Sequence, residues 1–144
     1  MNNETTSGFD NEHAKLVKLF NYYRDAKNEN LTKAKELFKD FSGYLQRHMK
    51  WEETVLIPFL KQDKSTSYDN SIDIIRTEHI KILAYLKDLH EKIDKGLAVE
   101  KEEERLIRNL LKHEEFEDEI LHPAIIKLIK KEVKEDIFKS MDNL

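Results

Sequence analysis

From Phe9 to Ala124 four separate stretches carry stripes whose positions step alternately by three and four, most of them apolar. Phe9, Leu16, Phe20 and Tyr23 form the first, and Phe41, Leu45, Val55 and Phe59 the second. Ile75, Ile82, Leu86, Leu89 and Ile93 form the third, and Leu106, Leu110, Ile120 and Ala124 the fourth. That spacing keeps one face of an α-helix apolar, so each stretch needs the others to be buried. Three glycines and two prolines leave too few turn-formers for many short strands. The pattern predicts an all-α fold, an antiparallel up-down-up-down four-helix bundle with a short C-terminal helix, as one domain over residues 1–144.

The first helix is expected from Asp10, as N-cap, to Lys27, and the second from Leu31 to Lys61 with Asn30 or Thr32 as cap. Asp69 or Ser71 is expected to cap the third, which stops at Gly96. The fourth starts near Val99 and runs at least to Leu121, where Pro123 bends or interrupts it. The bundle thus covers about residues 10–130, and Val133, Ile137, Phe138 and Met141 give a last helix at about 132–142 its apolar face.

Composition removes several chemistries. With no cysteine there is no disulfide, no thiolate metal site and no cysteine nucleophile. A formal charge of −4 with both signs interspersed gives no basic face for nucleic acid. No apolar run is long enough to span a membrane, and the first residues lack the basic start and apolar stretch of a signal peptide, so the expectation is a cytoplasmic protein.

Every apolar stripe is interrupted by a histidine: His13, His48, His79 and His113. The interruptions belong to an internal repeat. His48-Met49-Lys50-Trp51-Glu52-Glu53-Thr54-Val55-Leu56-Ile57-Pro58 matches His113-Glu114-Glu115-Phe116-Glu117-Asp118-Glu119-Ile120-Leu121-His122-Pro123, and Glu12-His13-Ala14-Lys15-Leu16 matches Glu78-His79-Ile80-Lys81-Ile82. Each half therefore supplies a lone histidine followed by H-x-x-x-E. On a helix those two side chains lie about 40° apart around the axis and about 6 Å apart along it, so both can reach one metal centre. Counting outward from the three turns puts the four histidines at one level, with mismatches of about 3–5 Å. Four imidazoles with Glu52 and Glu117 make six ligands, a set suited to a pair of metals bridged by the two carboxylates. Mixed N/O ligation favours iron, with manganese or zinc as alternatives. Without metal, the two facing carboxylates are expected to raise the pKa of one of them.

Helical geometry sets the remaining polar residues apart. Glu12, Glu53, Glu78 and Asp118 fall about 100° off the ligand stripe, where surface or helix-interface roles are expected. His90 is too far along its helix to share the site, and His122 lies on the opposite side of its own. Tyr44, one turn before His48, can donate a hydrogen bond near it, while Trp51 and Phe116 are expected to pack.

These motifs resemble the hemerythrin family, specifically its HHE cation-binding domain. They are His13, His48-x-x-x-Glu52-Glu53 with Leu56-x-Pro58, Glu78-His79, and His113-x-x-x-Glu117 with Leu121-x-Pro123. The resemblance implies a bundle holding two iron ions in a non-haem centre, with terminal imidazoles and bridging carboxylates, open to O2, NO or a related small oxidant. Oxygen-carrying members place a fifth histidine where this chain has Leu83, and an aspartate at the spacing of Asp118, whereas repeat symmetry selects Glu117. The function read from this is binding or sensing of a diatomic ligand rather than catalysis. The alternatives are a di-iron enzyme reducing O2, peroxide or NO or supplying iron for repair, and a metal-free or zinc-stabilised interaction bundle.

Overall fold

The computed structural model describes residues 4–62 and 67–128, with side chains for 12–62, 67–121, 123 and 124. The expected last helix at 132–142 and the side chains of Phe9 and His122 lie outside these described residues. The described chain is all-helical: α1 (Glu4–Lys27), α2 (Leu31–Trp51), a π-helical turn (Glu52–Leu56), α3 (Ile57–Leu60), α4 (Asp69–Asp94) and α5 (Glu100–Leu128). No strand occurs among the described residues, and none of their helices is long and apolar enough to cross a membrane. Helix α1 packs on α2 and α5, and α4 packs on α5 and α2, which makes a helical bundle of four arms.

Local chemistry explains most of the boundaries. Asn30 caps α2, its side chain accepting from the Lys33 N–H at 3.1 Å, so Asn30 and not Thr32 is the cap. Gly96, at φ 71°, ends α4 in the left-handed conformation. Its N–H donates to the Ile93 carbonyl at 3.0 Å and the Leu97 N–H to the Lys92 carbonyl at 3.0 Å, which satisfies the last carbonyls of the helix. Two expected caps are corrected. Asp10 lies inside α1, which begins at Glu4, and α4 starts at Asp69 after Tyr68 with no side-chain cap. Pro123 does not stop α5, which continues to Leu128. Proline removes one backbone donor, and because Pro123 is exposed the carbonyl it leaves can turn to water.

The second arm departs from a simple helix. Between Glu52 and Leu56 the backbone widens, with the Ile57 N–H donating to the Glu52 carbonyl. The wider turn comes immediately before Pro58, whose ring would clash with the preceding turn of a regular α-helix. Its extra residue moves the buried face onward. Leu56, Ile57 and Leu60 are buried, while the expected Val55 and Phe59 are only half-buried. On α5, likewise, Leu121 is buried where Ile120 was expected.

Apolar residues form two layers. The larger holds Leu16, Phe20, Tyr23, Phe38, Phe41, Leu45, Ile82, Leu86, Leu106 and Leu110, and the smaller Trp51, Leu56, Leu60, Ile72, Ile75 and Leu121. On α2 and its π-turn, on α4 and on α5 the histidine level falls between these two layers, and on α1 His13 adjoins the larger one, so apolar side chains flank the polar layer. Within the larger layer, buried Glu103 meets Lys27 Nζ at 2.7 Å, and burial together with Glu103 pushes the Tyr23 hydroxyl pKa up. Lys27→Met strands that carboxylate and is expected to cost about 3 kcal/mol, read by urea unfolding. A change below about 0.5 kcal/mol, the usual size of a surface effect, would show that Glu103 does not depend on the pair.

Candidate metal centre

Each arm contributes one buried imidazole: His13 from α1, His48 from α2, His79 from α4 and His113 from α5. The rings of His13 and His48 meet edge-on with centroids 5.4 Å apart, and those of His79 and His113 at 4.8 Å. Between the two pairs lie Glu52 and Glu117, both at 0% exposure. All four Nε2 atoms turn toward these carboxylates. His13 Nε2 is 3.4 Å and His113 Nε2 3.1 Å from Glu117, while His48 Nε2 is 3.3 Å and His79 Nε2 2.9 Å from Glu52. The carboxylates also reach across, with His79 Nε2 3.9 Å from Glu117 and His113 Nε2 3.9 Å from Glu52.

These distances are not those of a completed hydrogen-bond network. Glu52 Oε2, both Glu117 oxygens, His48 Nε2 and His113 Nε2 are buried without a well-directed hydrogen bond. Buried polar groups left so are costly unless something else takes their lone pairs. His13, His48, Glu52 and Glu117 bring ligand atoms within 4.8 Å of one another, and so do Glu52, His79, His113 and Glu117. Both groups use the same two carboxylates. The donor set therefore fits two adjacent cations held by imidazole and carboxylate.

The outward nitrogens reveal what sequence reasoning undervalued. His13 Nδ1 lies 3.0 Å from Asp118, His48 Nδ1 3.5 Å from Glu12, His79 Nδ1 2.6 Å from Glu53 and His113 Nδ1 2.7 Å from Glu78. Every histidine is thus held between an inner and an outer carboxylate, an arrangement that fixes the ring and directs Nε2 inward. The four outer acids do sit at helix interfaces, where they orient the rings. The repeat carried the signal, since it keeps an acid after each inner glutamate and before each lone histidine. Asp118 accordingly serves His13, and Glu117 faces the centre. Tyr44 donates to Glu12, and Arg76 Nε donates to Glu53 at 3.2 Å. Trp51 is buried and Phe116 packs in the same apolar layer. His90 is far from the site, beside Asp94 at 3.2 Å.

Electrostatics in the cluster correct one expectation. Burial opposes ionisation of Glu52, but His48, His113 and His79 outweigh it and hold its pKa well below the usual carboxylate range. An inner carboxylate raised by its partner was expected, yet around Glu52 the neighbouring imidazoles supply the compensating charge. Burial likewise works against protonation of the histidines, and the adjacent carboxylates win. His113 is pushed up to about 12 by Glu117 and Glu52, and His13, His48 and His79 are also raised.

One further acid is present. Glu114, on α5, is only 4% exposed, and burial raises its carboxyl to about 7 against the pull of His13 and His48. A cavity of about 590 Å³ reaches His79 past Met49, Ile80 and Leu83. Leu83, where a fifth histidine would stand, is partly exposed on the cavity wall.

An all-helical bundle that buries four imidazoles around two carboxylates defines a metal-binding protein of the mixed histidine–carboxylate class. The hemerythrin HHE cation-binding domain family matches residues 5–125, and the chain belongs to that family. No curated protein and no solved structure matches it.

Proposed function

We propose that this chain holds a non-haem di-iron centre on His13, His48, Glu52, His79, His113 and Glu117 and uses it to bind or sense O2, NO or a related small oxidant. The observation that carries the reading is the pair of four-residue ligand groups sharing Glu52 and Glu117. A second carboxylate oxygen allows each glutamate to serve both cations, while the histidines cap the two ends. Family membership supports a cation there, and the absence of thiolate among the donors favours iron or manganese over softer metals. Short connections between α1 and α2 and between α4 and α5 support the up-down-up-down path.

Bound iron would supply reversible electron transfer to a small oxidant. The protein's own part is to exclude bulk water with two apolar layers, to fix each imidazole through its outer acid, and to admit a small ligand beside His79. Elemental analysis of protein purified without added metal tests the reading. Two metal ions per chain, mainly iron, are expected. A value near one would replace it with a mononuclear site, and a value near zero would favour an interaction bundle. Steady turnover of peroxide or NO with a generic reductant would mark an enzyme instead.

A further inference from the structure

We propose that Glu114 is a seventh metal ligand, serving only the cation held by His13 and His48, so that the His79–His113 position is the one left open to incoming ligands. The inference rests on the di-metal reading above. Glu114 stands next to His113 in sequence, but its carboxylate turns to the other half of the site, with Oε2 4.0 Å from His13 Nε2. That oxygen is buried and has no hydrogen-bond partner. Leaving a carboxyl group so is costly, and an apolar side chain of that size would pack there at no such cost. Two ligand atoms about 2.1 Å from a common ion can be no more than about 4.2 Å apart, so the separation from His13 suits a shared cation.

The repeat sharpens the point. Position 114 corresponds to Met49 on α2, which is buried and stands beside His79 in the cavity wall. The His13–His48 position therefore meets a third carboxylate, whereas the matching position in the other half of the repeat is an apolar methionine, a weak partner for a hard cation. The cavity of about 590 Å³ includes His79 in its wall and so reaches the His79–His113 position. One half of the centre thus gains a further protein carboxylate, and the other has fewer protein ligands and a cavity beside it.

Cobalt(II) titration of metal-free protein, followed by calorimetry and visible absorption, tests this with Glu114→Met and Glu114→Gln. Wild type is expected to take up two ions in two distinguishable steps. In both variants one step should weaken by at least the roughly 10–100-fold that follows loss of a residue merely orienting a ligand, while the other is unchanged. The cobalt spectrum of the affected step should change as its ligand number falls. Metal-free Glu114→Met should also melt higher than wild type, because a buried unpartnered carboxyl is gone. A residue needed only for packing would lower stability and metal affinity together. Two ions bound by wild type, with both steps and the spectrum unchanged in both variants, would overturn the proposal alone. No cobalt uptake by wild type would overturn the di-metal reading and the proposal with it.

Discussion

Glu52→Gln and Glu117→Gln are each expected to reduce bound iron from two ions per chain to one or none. Both residues are fully buried, and both belong to the two ligand groups at once. An amide keeps their shape but offers one neutral oxygen where the carboxylate offers two anionic ones, and it makes a poor bridge between hard cations. The affinity loss should exceed the roughly 10–100-fold that follows loss of a residue merely orienting a ligand. Iron content by elemental analysis, alongside the near-ultraviolet and visible spectrum of the oxidised protein, reads the effect. His90→Gln is the control, since its ring is half-exposed beside Asp94 and Phe38, in the apolar region away from the site. Should His90→Gln empty the centre while Glu117→Gln leaves it full, the ligand assignment is wrong.

Metal removal is expected to have the second large effect, and its size should depend on pH. In the metal-free cluster the four histidine pKa values are raised. Their contribution to stability is complete below the unfolded value of about 6.5 and is lost as pH rises through the folded values. Glu52, whose pKa is lowered, contributes fully above about 4.5 and loses that contribution as pH falls through its folded value. The metal-free protein should therefore be most stable in mildly acidic solution, between those two unfolded values. A cation needs neutral imidazoles, so its binding expels their protons and its affinity rises with pH.

Ligand at a hundredfold excess over the dissociation constant stabilises the folded state by about 2.7 kcal/mol, or about 10 °C in a chain of this size. The gain on adding iron(II) should thus be larger at pH 8 than at pH 5.5. Thermal melts with and without chelator at both values check it, and calorimetry in two buffers counts the protons released. Equal gains at both pH values, or no proton release, would contradict the protonated cluster.

The outer acids show where sequence reasoning stopped short. His13, His48, Glu52, His79, His113 and Glu117 are legible in the sequence because they share the apolar period that faces the bundle axis. Glu12, Glu53, Glu78 and Asp118 are about 100° away from that line. In a bundle, however, the flank of one helix is the surface of the next. A side chain off one stripe therefore meets the Nδ1 of a histidine on a neighbouring arm, as Glu53 does with His79 across from the π-turn to α4. The pairing depends on which arms are adjacent, a property of no single helix.

The sequence by itself determined the helical class, the Gly96 boundary, the family, and the six residues that gather at one level, and it narrowed the α2 cap to Asn30 or Thr32. All of these follow from period, capping chemistry and residue identity, which act within a few turns of chain. Tertiary structure decided the π-turn that carries Leu56 and Leu60 into the core, the outer acid given to each histidine, and the burial of Glu114 against His13 while its repeat counterpart Met49 lines a cavity. Those outcomes depend on which neighbour fills the space beside a residue, and that space exists only once four arms have packed.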